Sequence, residues 1–275
     1  MKKLTLVTAM LAPSLLSLSV WAQSPQPQVS PQMQAAVSNS LRQEANIARD
    51  IYRHPAETLT FFGIKPTDTV IELWPGGRWY AEILGPYLAD EGHYIAANFD
   101  ANPPADVKTP AYRVRLGKAL DQWLVDNKQE LGKASAFAFE PPRLASLGED
   151  ESADAVLTFR NLHNWAMAEQ LETVFDAAYQ VLKPGGVLGV VEHRAKPGMS
   201  MSSGYMEQEA MVSLAQEAGF TLVASSEVNA NTKDTKDHPK GVWTLPPSLS
   251  LGEQDREKYL AIGESDRMTL KFIKK

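Results

Sequence analysis

The sequence contains no cysteine. Disulfides, thiolate metal sites and a lipid anchor attached through a cysteine are thereby excluded. Basic residues are also scarce: 27 Lys and Arg stand against 33 Asp and Glu, a formal charge of −6 over 275 residues. They do not cluster into the kind of face that holds a phosphate backbone or an anionic lipid surface, so nucleic acid is not an expected partner. Long apolar runs are missing too, with one exception. Leu4 to Val20 (LTLVTAMLAPSLLSLSV) follows Lys2 and Lys3 and leads into Val20-Trp21-Ala22. The run is at the lower limit for a membrane span, holds Pro13 and several Ser and Thr, and exits through small residues of the kind a signal peptidase reads. It reads as a signal peptide over 1–22, cut after Ala22. Losing Lys2 and Lys3 leaves 25 basic residues against 33 acidic, a charge of −8. A periplasmic protein with no membrane segment in its mature form is expected.

What remains has ordinary globular composition, 44% hydrophobic. Residues 23–34 (QSPQPQVSPQMQ) are rich in Pro, Gln and Ser and read as a flexible leader. Residues 35–275 read as one domain. Leu41, Ala45, Ala48 and Ile51 fall at helical spacing, and Pro55 opens a second short helix through Phe62. These helices precede the first strand and are placed to cover the site it opens into. Strand and helix patterns then alternate, with strands expected over 69–73, 94–99, 134–139, 155–159, 187–191, 220–228 and 268–273. Strands alternating with helices build a parallel sheet with right-handed crossovers. One connection, 229–266, is far longer than a hairpin needs and carries the stiff apolar run Val242-Trp243-Thr244-Leu245-Pro246-Pro247; it reads as a flap packed over the domain.

Ligands of open parallel sheets bind beyond the carboxyl ends of the strands, so the residues standing there are the candidates. Strand one ends at Glu72 and the Gly76-Gly77 turn, where the backbone can approach a ligand closely. Strand two ends near Asn98 and Asp100, strand three at Glu140, strand four at Arg160-Asn161-Leu162-His163, and strand five at Glu192-His193-Arg194. Taken singly, each acid has a bland reading as a helix cap or a solvated loop residue. His54, His93 and His238 lack metal-ligand spacing, and no metal is expected. The weight lies in five successive strands placing polar groups at one edge.

The series VIELWPGG, YIAANFD, DAVLTFRNLHNW and VLKPGGVLGVVEHR, with two further strands, resembles the class I S-adenosylmethionine-dependent methyltransferases. More narrowly it is similar to an exported bacterial group that carries a WPGG turn and an NAN…DTKDHPKGVWTLPPS segment. The resemblance covers Leu41 to Lys275. It implies a Rossmann-like seven-stranded, mostly parallel sheet with helices on both faces and an antiparallel last strand. It further implies S-adenosyl-L-methionine as cofactor, with Glu72, Gly76 and Gly77 along its methionine part, Asn98 or Asp100 at the ribose, Glu140 near the adenine and Asn161 beside the methyl. Trp74 and Arg78 replace two of the three glycines of the usual first turn, Asn98 stands where an acid is usual, and Pro141 lacks a backbone N–H.

The leading expectation is therefore methyl transfer to a small-molecule substrate. His163 or His193 would act as base with Glu192 orienting an imidazole, and Arg160 or Arg194 would hold an acidic acceptor. The alternative is an exported binding protein that keeps the fold without the cofactor, its pocket walled by Trp74, Trp79, Tyr80 and Trp243. A nicotinamide dehydrogenase would need glycine at 74, 76 and 79, and only Gly76 is present.

Overall fold

The structure is a computed structural model, and residues 28–275 are described. The expected signal peptide and the start of the leader lie outside these residues. Four short helices come first: α1 (Pro31–Val37), α2 (Glu44–Ile47), α3 (Asp50–Arg53) and α4 (Pro55–Phe62). Strands and helices then alternate through β1 (Thr69–Leu73), α5 (Ala81–Tyr87), β2 (His93–Asn98), α6 (Ala111–Asp126), α7 (Lys128–Leu131), β3 (Ser135–Ala138) and β4 (Ala153–Phe159). The chain continues through α8 (Leu162–Met167), α9 (Leu171–Val181), β5 (Leu182–His193), α10 (Gln208–Glu217), β6 (Phe220–Ser226), α11 (Arg256–Ile262) and β7 (Arg267–Lys274). The seven strands form one sheet in the order β3-β2-β1-β4-β5-β7-β6. β7 runs antiparallel to both β5 and β6, and the pairings from β3 to β5 are parallel. β1 pairs with β2 on one side and β4 on the other, so the winding reverses there and a cleft opens at their carboxyl ends.

The alternation of side chains along each strand divides the interior in two. Val70, Tyr94, Ala96, Ala155, Leu157 and Phe159 pack with α1, α4, α5 and α6. Ile71, Leu73, Val156, Leu188, Val190, Met268 and Leu270 pack with α8, α9 and α10. Each fully buried Leu or Ile in these layers contributes about 1.5–3 kcal/mol by leaving water. Gly189 in β5 lets α4 settle closely on the sheet: a Cβ there would lie 2.9 Å from the ring of Phe62.

Two expectations are corrected. The leader does not run to 34, because Ser30 caps α1 through a 3.1 Å bond from the Met33 N–H, Pro31 fills the first turn, and Met33 is buried. A Ser-Pro helix start was masked there by the Pro- and Gln-rich composition. The segment after it is inverted. Ile47 and Ile51 are 44% and 69% exposed, whereas Arg42 and Arg53 are buried. Arg42, Asn46, Arg49 and Arg53 share the inward face, at the same helical spacing as the apolar set. Two buried carboxylates draw this polar face inward. Glu82 of α5 accepts from the Gln43 N–H (3.1 Å), Gln43 Nε2 (2.6 Å) and Asn46 Nδ2 (2.8 Å), and Glu264 takes Arg49 and Arg53. Trp79 completes the joint, donating to the Asn46 carbonyl (2.8 Å) with Arg42 and Arg53 over its ring at 5.1 and 4.8 Å.

Glu82→Ala strips three donors of their acceptor in a buried joint. It is expected to cost about 2–3 kcal/mol, a fall in Tm of about 5–10 °C, with the gain in hydrogen exchange concentrated in residues 39–54.

Candidate functional site

The turn after β1 keeps its shape without the usual glycines. Trp74, Gly76 and Arg78 all have positive φ, at 48°, 55° and 65°. Such a conformation costs a non-glycine residue on the order of 1–2 kcal/mol. At Trp74 the surroundings hold it: its N–H donates to the Ala97 carbonyl at 2.8 Å. Beside the turn lies a cavity of about 230 Å³ lined by Glu72, Gly76, Gly77, Arg160 and Asn161, with Asn46, Arg49 and Arg53 as its roof. The N-terminal helices therefore cover the cleft, as their position in the sequence suggests.

The Trp74 side chain divides the residues read from the sequence into two groups. Its indole donates from Nε1 to the Phe139 carbonyl at 2.7 Å. It packs on Phe99 and Trp165 at 4.9 and 4.3 Å, with the Arg113 guanidinium 4.4 Å from the ring. Glu72, Gly76, Gly77 and Asn161 line the cavity on one side, Asn161 donating to the Leu73 and Trp74 carbonyls at 3.0 and 3.2 Å. Asn98, Asp100 and Glu140 do not line it. Asp100 is paired with Arg143 (2.7 Å) and Glu140 with Arg113 (3.0 Å). Both side-chain atoms of Asn98 and one oxygen of Glu140 are buried with no hydrogen-bond partner. These orphaned groups flank Phe99 and Phe139, the two residues on which the indole rests.

A second cavity, about 220 Å³, adjoins the first through Arg160 and is lined by His163, His193, Trp243, Pro246, Glu264 and Ser265. The flap contributes its stiff apolar run as one wall. Asp234 ties the flap down, accepting from Tyr205 Oη (2.9 Å) and the Asp266 N–H (2.8 Å), with His238 Nε2 at 2.8 Å. At the end of β5 the buried Glu192 accepts from the backbone N–H of His163 (3.3 Å) and of His193 (2.8 Å), and lies 3.1 Å from His163 Nδ1. A buried carboxylate beside Nδ1 holds the proton on that nitrogen and leaves Nε2 as the acceptor. His193 hydrogen-bonds Ser265 Oγ through Nδ1. Burial, with the charges of His163, Arg160 and Arg267, holds His193 well below the ordinary histidine range.

His163, Glu192 and His193 each bring a ligand atom within 4.8 Å of the others, a composition able to hold a metal ion that the spacing of the other histidines does not suggest. The Glu192 oxygens already face three nitrogens, and cationic arginines stand nearby, so hydrogen bonding accounts for the trio. Arg194 is not in this chamber. It forks onto Glu227 (2.7 Å) and Asp266 (2.9 Å), and those pairings raise its pKa further and commit it to fastening the flap. A larger cavity, about 380 Å³ and bordered by Asp90 and Glu91, lies at the amino ends of β1 and β2, away from where this fold places ligands.

Burial lifts the Glu72 carboxyl to about 8, against a lowering by the 2.7 Å bond from Tyr94 Oη, so it is protonated at neutral pH. Reading the sequence missed Arg49, Arg53 and Glu264, which complete the first cavity and its joint. The signal for the arginines was present in their spacing, which the apolar residues of the same segment share.

Residues 125–190, from the end of α6 into β5, match the methyltransferase domain family. No curated protein matches the sequence. Among solved structures, an S-adenosylmethionine-dependent methyltransferase from Aquifex aeolicus aligns at 17% identity with a TM-score of 0.51, over 66% of this chain and 87% of its own. An arsenic(III) S-adenosylmethionine methyltransferase from Chlamydomonas reinhardtii aligns at 15% and 0.51, over 92% and 75%. The [4+2]-cyclase SpnF aligns at 15% and 0.50, over 88% and 91%. The fold is that of the class I methyltransferases.

Because the folded pKa of Glu72 lies above the ordinary 4.5, the folded state holds a proton that the unfolded chain releases. Its contribution is stabilising relative to the ionised form at low pH and is lost as pH rises from about 4.5 to about 8. Glu72→Gln is thus expected to gain in Tm relative to wild type as the buffer moves from pH 6 to pH 9. In nitrogen-detected NMR, the neutral imidazole of His163 should carry its proton on Nδ1 rather than Nε2, a preference that Glu192→Ala should abolish.

Proposed function

We propose that the protein is an S-adenosylmethionine-dependent methyltransferase acting on a small molecule, exported as the leader of the sequence suggests. The reading is carried by two adjoining cavities at the carboxyl ends of β1, β4 and β5, one beside the glycine turn and one around the His163–Glu192 pair, with Arg160 between them. The residues present fit the cofactor. Gly76, Gly77 and Asn161 would hold its methionine portion, and the orphaned amide of Asn98 and oxygen of Glu140 are groups that an adenosine would satisfy. For them to meet a ligand, the Trp74 indole must leave its place between Phe99 and Trp165.

S-adenosylmethionine supplies an electrophilic methyl group. The protein's own part is to position and to deprotonate. α2, α3 and the flap wall the chamber on two sides, and a ligand that fills it would displace water, which favours group transfer over hydrolysis and strengthens polar contacts inside. His163 takes the acceptor's proton on Nε2, and Glu192 steadies the imidazolium that forms; a base so placed contributes typically about 10²–10⁴-fold. Positioning of the acceptor supplies much of the remainder.

A second reading, a methyltransferase fold put to another use, draws on the buried Trp74 indole, and the cyclase among the similar structures is a protein of this fold with a different activity in its name. Calorimetry with S-adenosylhomocysteine separates the two. Binding to the wild type, tightened by Trp74→Gly even as Tm falls by several degrees, is the expected result. No heat at millimolar ligand from either form would favour the second reading.

A further inference from the structure

The two cavities carry an excess of positive charge inside an acidic protein. Arg49, Arg53 and Arg160 line them, facing two carboxylates, Glu72 and Glu264. One layer behind lie the buried Arg267, paired with Glu264 at 3.2 Å, and the buried Glu192, bonded to His163 and His193. With Glu72 protonated, two positive charges in the lining stay unbalanced. The arginines are also short of acceptors. Arg53 is 2% exposed, and its Nε reaches Glu264 at 3.1 Å while Nη1 and Nη2 are buried with no partner. Arg49 has one such nitrogen, its Nε being bound to Glu264 at 2.6 Å. Arg160, held at φ 61° between the cavities, makes neither a hydrogen bond nor an ion pair through its side chain among the described residues. Buried donors without acceptors and unbalanced buried charge are both costly, and an oxyanion relieves both.

The cofactor does not supply that balance. S-adenosylmethionine has a sulfonium, an ammonium and one carboxylate, a net positive charge, so binding it makes the chamber more cationic. We propose that the chamber is an oxyanion site and that the methyl acceptor is a small carboxylate or phosphate compound, its anionic group held by Arg160 with Arg53 and Arg49 behind. The acceptor half of this statement rests on the methyltransferase reading; the oxyanion site does not. Guanidinium forks suit both oxyanions equally. Trp243, Pro246 and Pro247 give the rest of the ligand an apolar wall. The nucleophile then lies beside His163 while its charge lies at Arg160, which makes the anion a handle for orientation rather than the reacting group.

The test uses three probes of one shape, benzoate, phenyl phosphate and neutral benzamide, titrated into the full protein at low ionic strength by calorimetry. Benzoate or phenyl phosphate should bind at least about tenfold more tightly than benzamide, and the stronger of the two identifies the kind of oxyanion. Arg160→Gln, a partly exposed change that removes one unbalanced charge and should hold or raise Tm, should remove about tenfold of that affinity, and Arg160→Lys should restore part of it. Benzamide binding as well as the anions, no binding of either anion, or an Arg160→Gln protein that binds them unchanged would overturn the proposal. S-adenosylhomocysteine titrated in parallel separates the two ideas. Anion binding without heat from the nucleoside upholds the oxyanion site and removes the methyltransferase reading. Heat from the nucleoside without anion binding does the reverse.

Discussion

The carboxylate of Glu264 holds the site together. It is 3% exposed and receives three arginines: Arg49 at 2.6 Å, Arg53 at 3.1 Å and Arg267 at 3.2 Å. One of these belongs to the last strand and two to the N-terminal helices, while Glu264 itself closes the flap. A buried ion pair is a weak source of stability, because desolvation offsets most of the attraction, but removing one partner is severe. The arrangement therefore contributes geometry: it sets the roof of one cavity and the rim of the other by a single group.

The turn after β1 shows how side chains can hold a backbone that glycine adopts freely. Trp74 and Arg78 both take the left-handed conformation that glycine permits. The strain at Trp74 is offset by an indole that fills an aromatic slot and donates to the Phe139 carbonyl. The same packing leaves Asn98 unsatisfied nearby, so the turn stores cost on both sides of the tryptophan. A ligand that displaced the ring would regain one as it lost the other.

Much of this was legible in the sequence. Short apolar strands alternating with helices located the sheet, and the β4–β5 register, with Phe159 beside Val191, brings His163 next to Glu192. The long segment before β7 was recognisable as a cover from its length and its apolar run. The roof was not legible, because apolar residues at helical spacing ordinarily face inward, and here Ala45, Ala48 and Ile51 face solvent. What reverses them is a pair of carboxylates, one in α5 and one more than two hundred residues away, and no local pattern announces such partners. Arg194 was misplaced for the same reason, since its acceptors Glu227 and Asp266 come from elements read separately.

Glu264 also makes closure of the site a long-range event. Arg49 and Arg53 stand in the N-terminal helices, yet their acceptor lies more than two hundred residues later. Until it arrives those guanidiniums have no buried partner and the roof has no latch on that side. With Glu264 undocked the strands from β3 to β5 can still pair, but both cavities lack the wall and roof that this carboxylate joins, so the chamber closes only as the flap and the N-terminal helices meet.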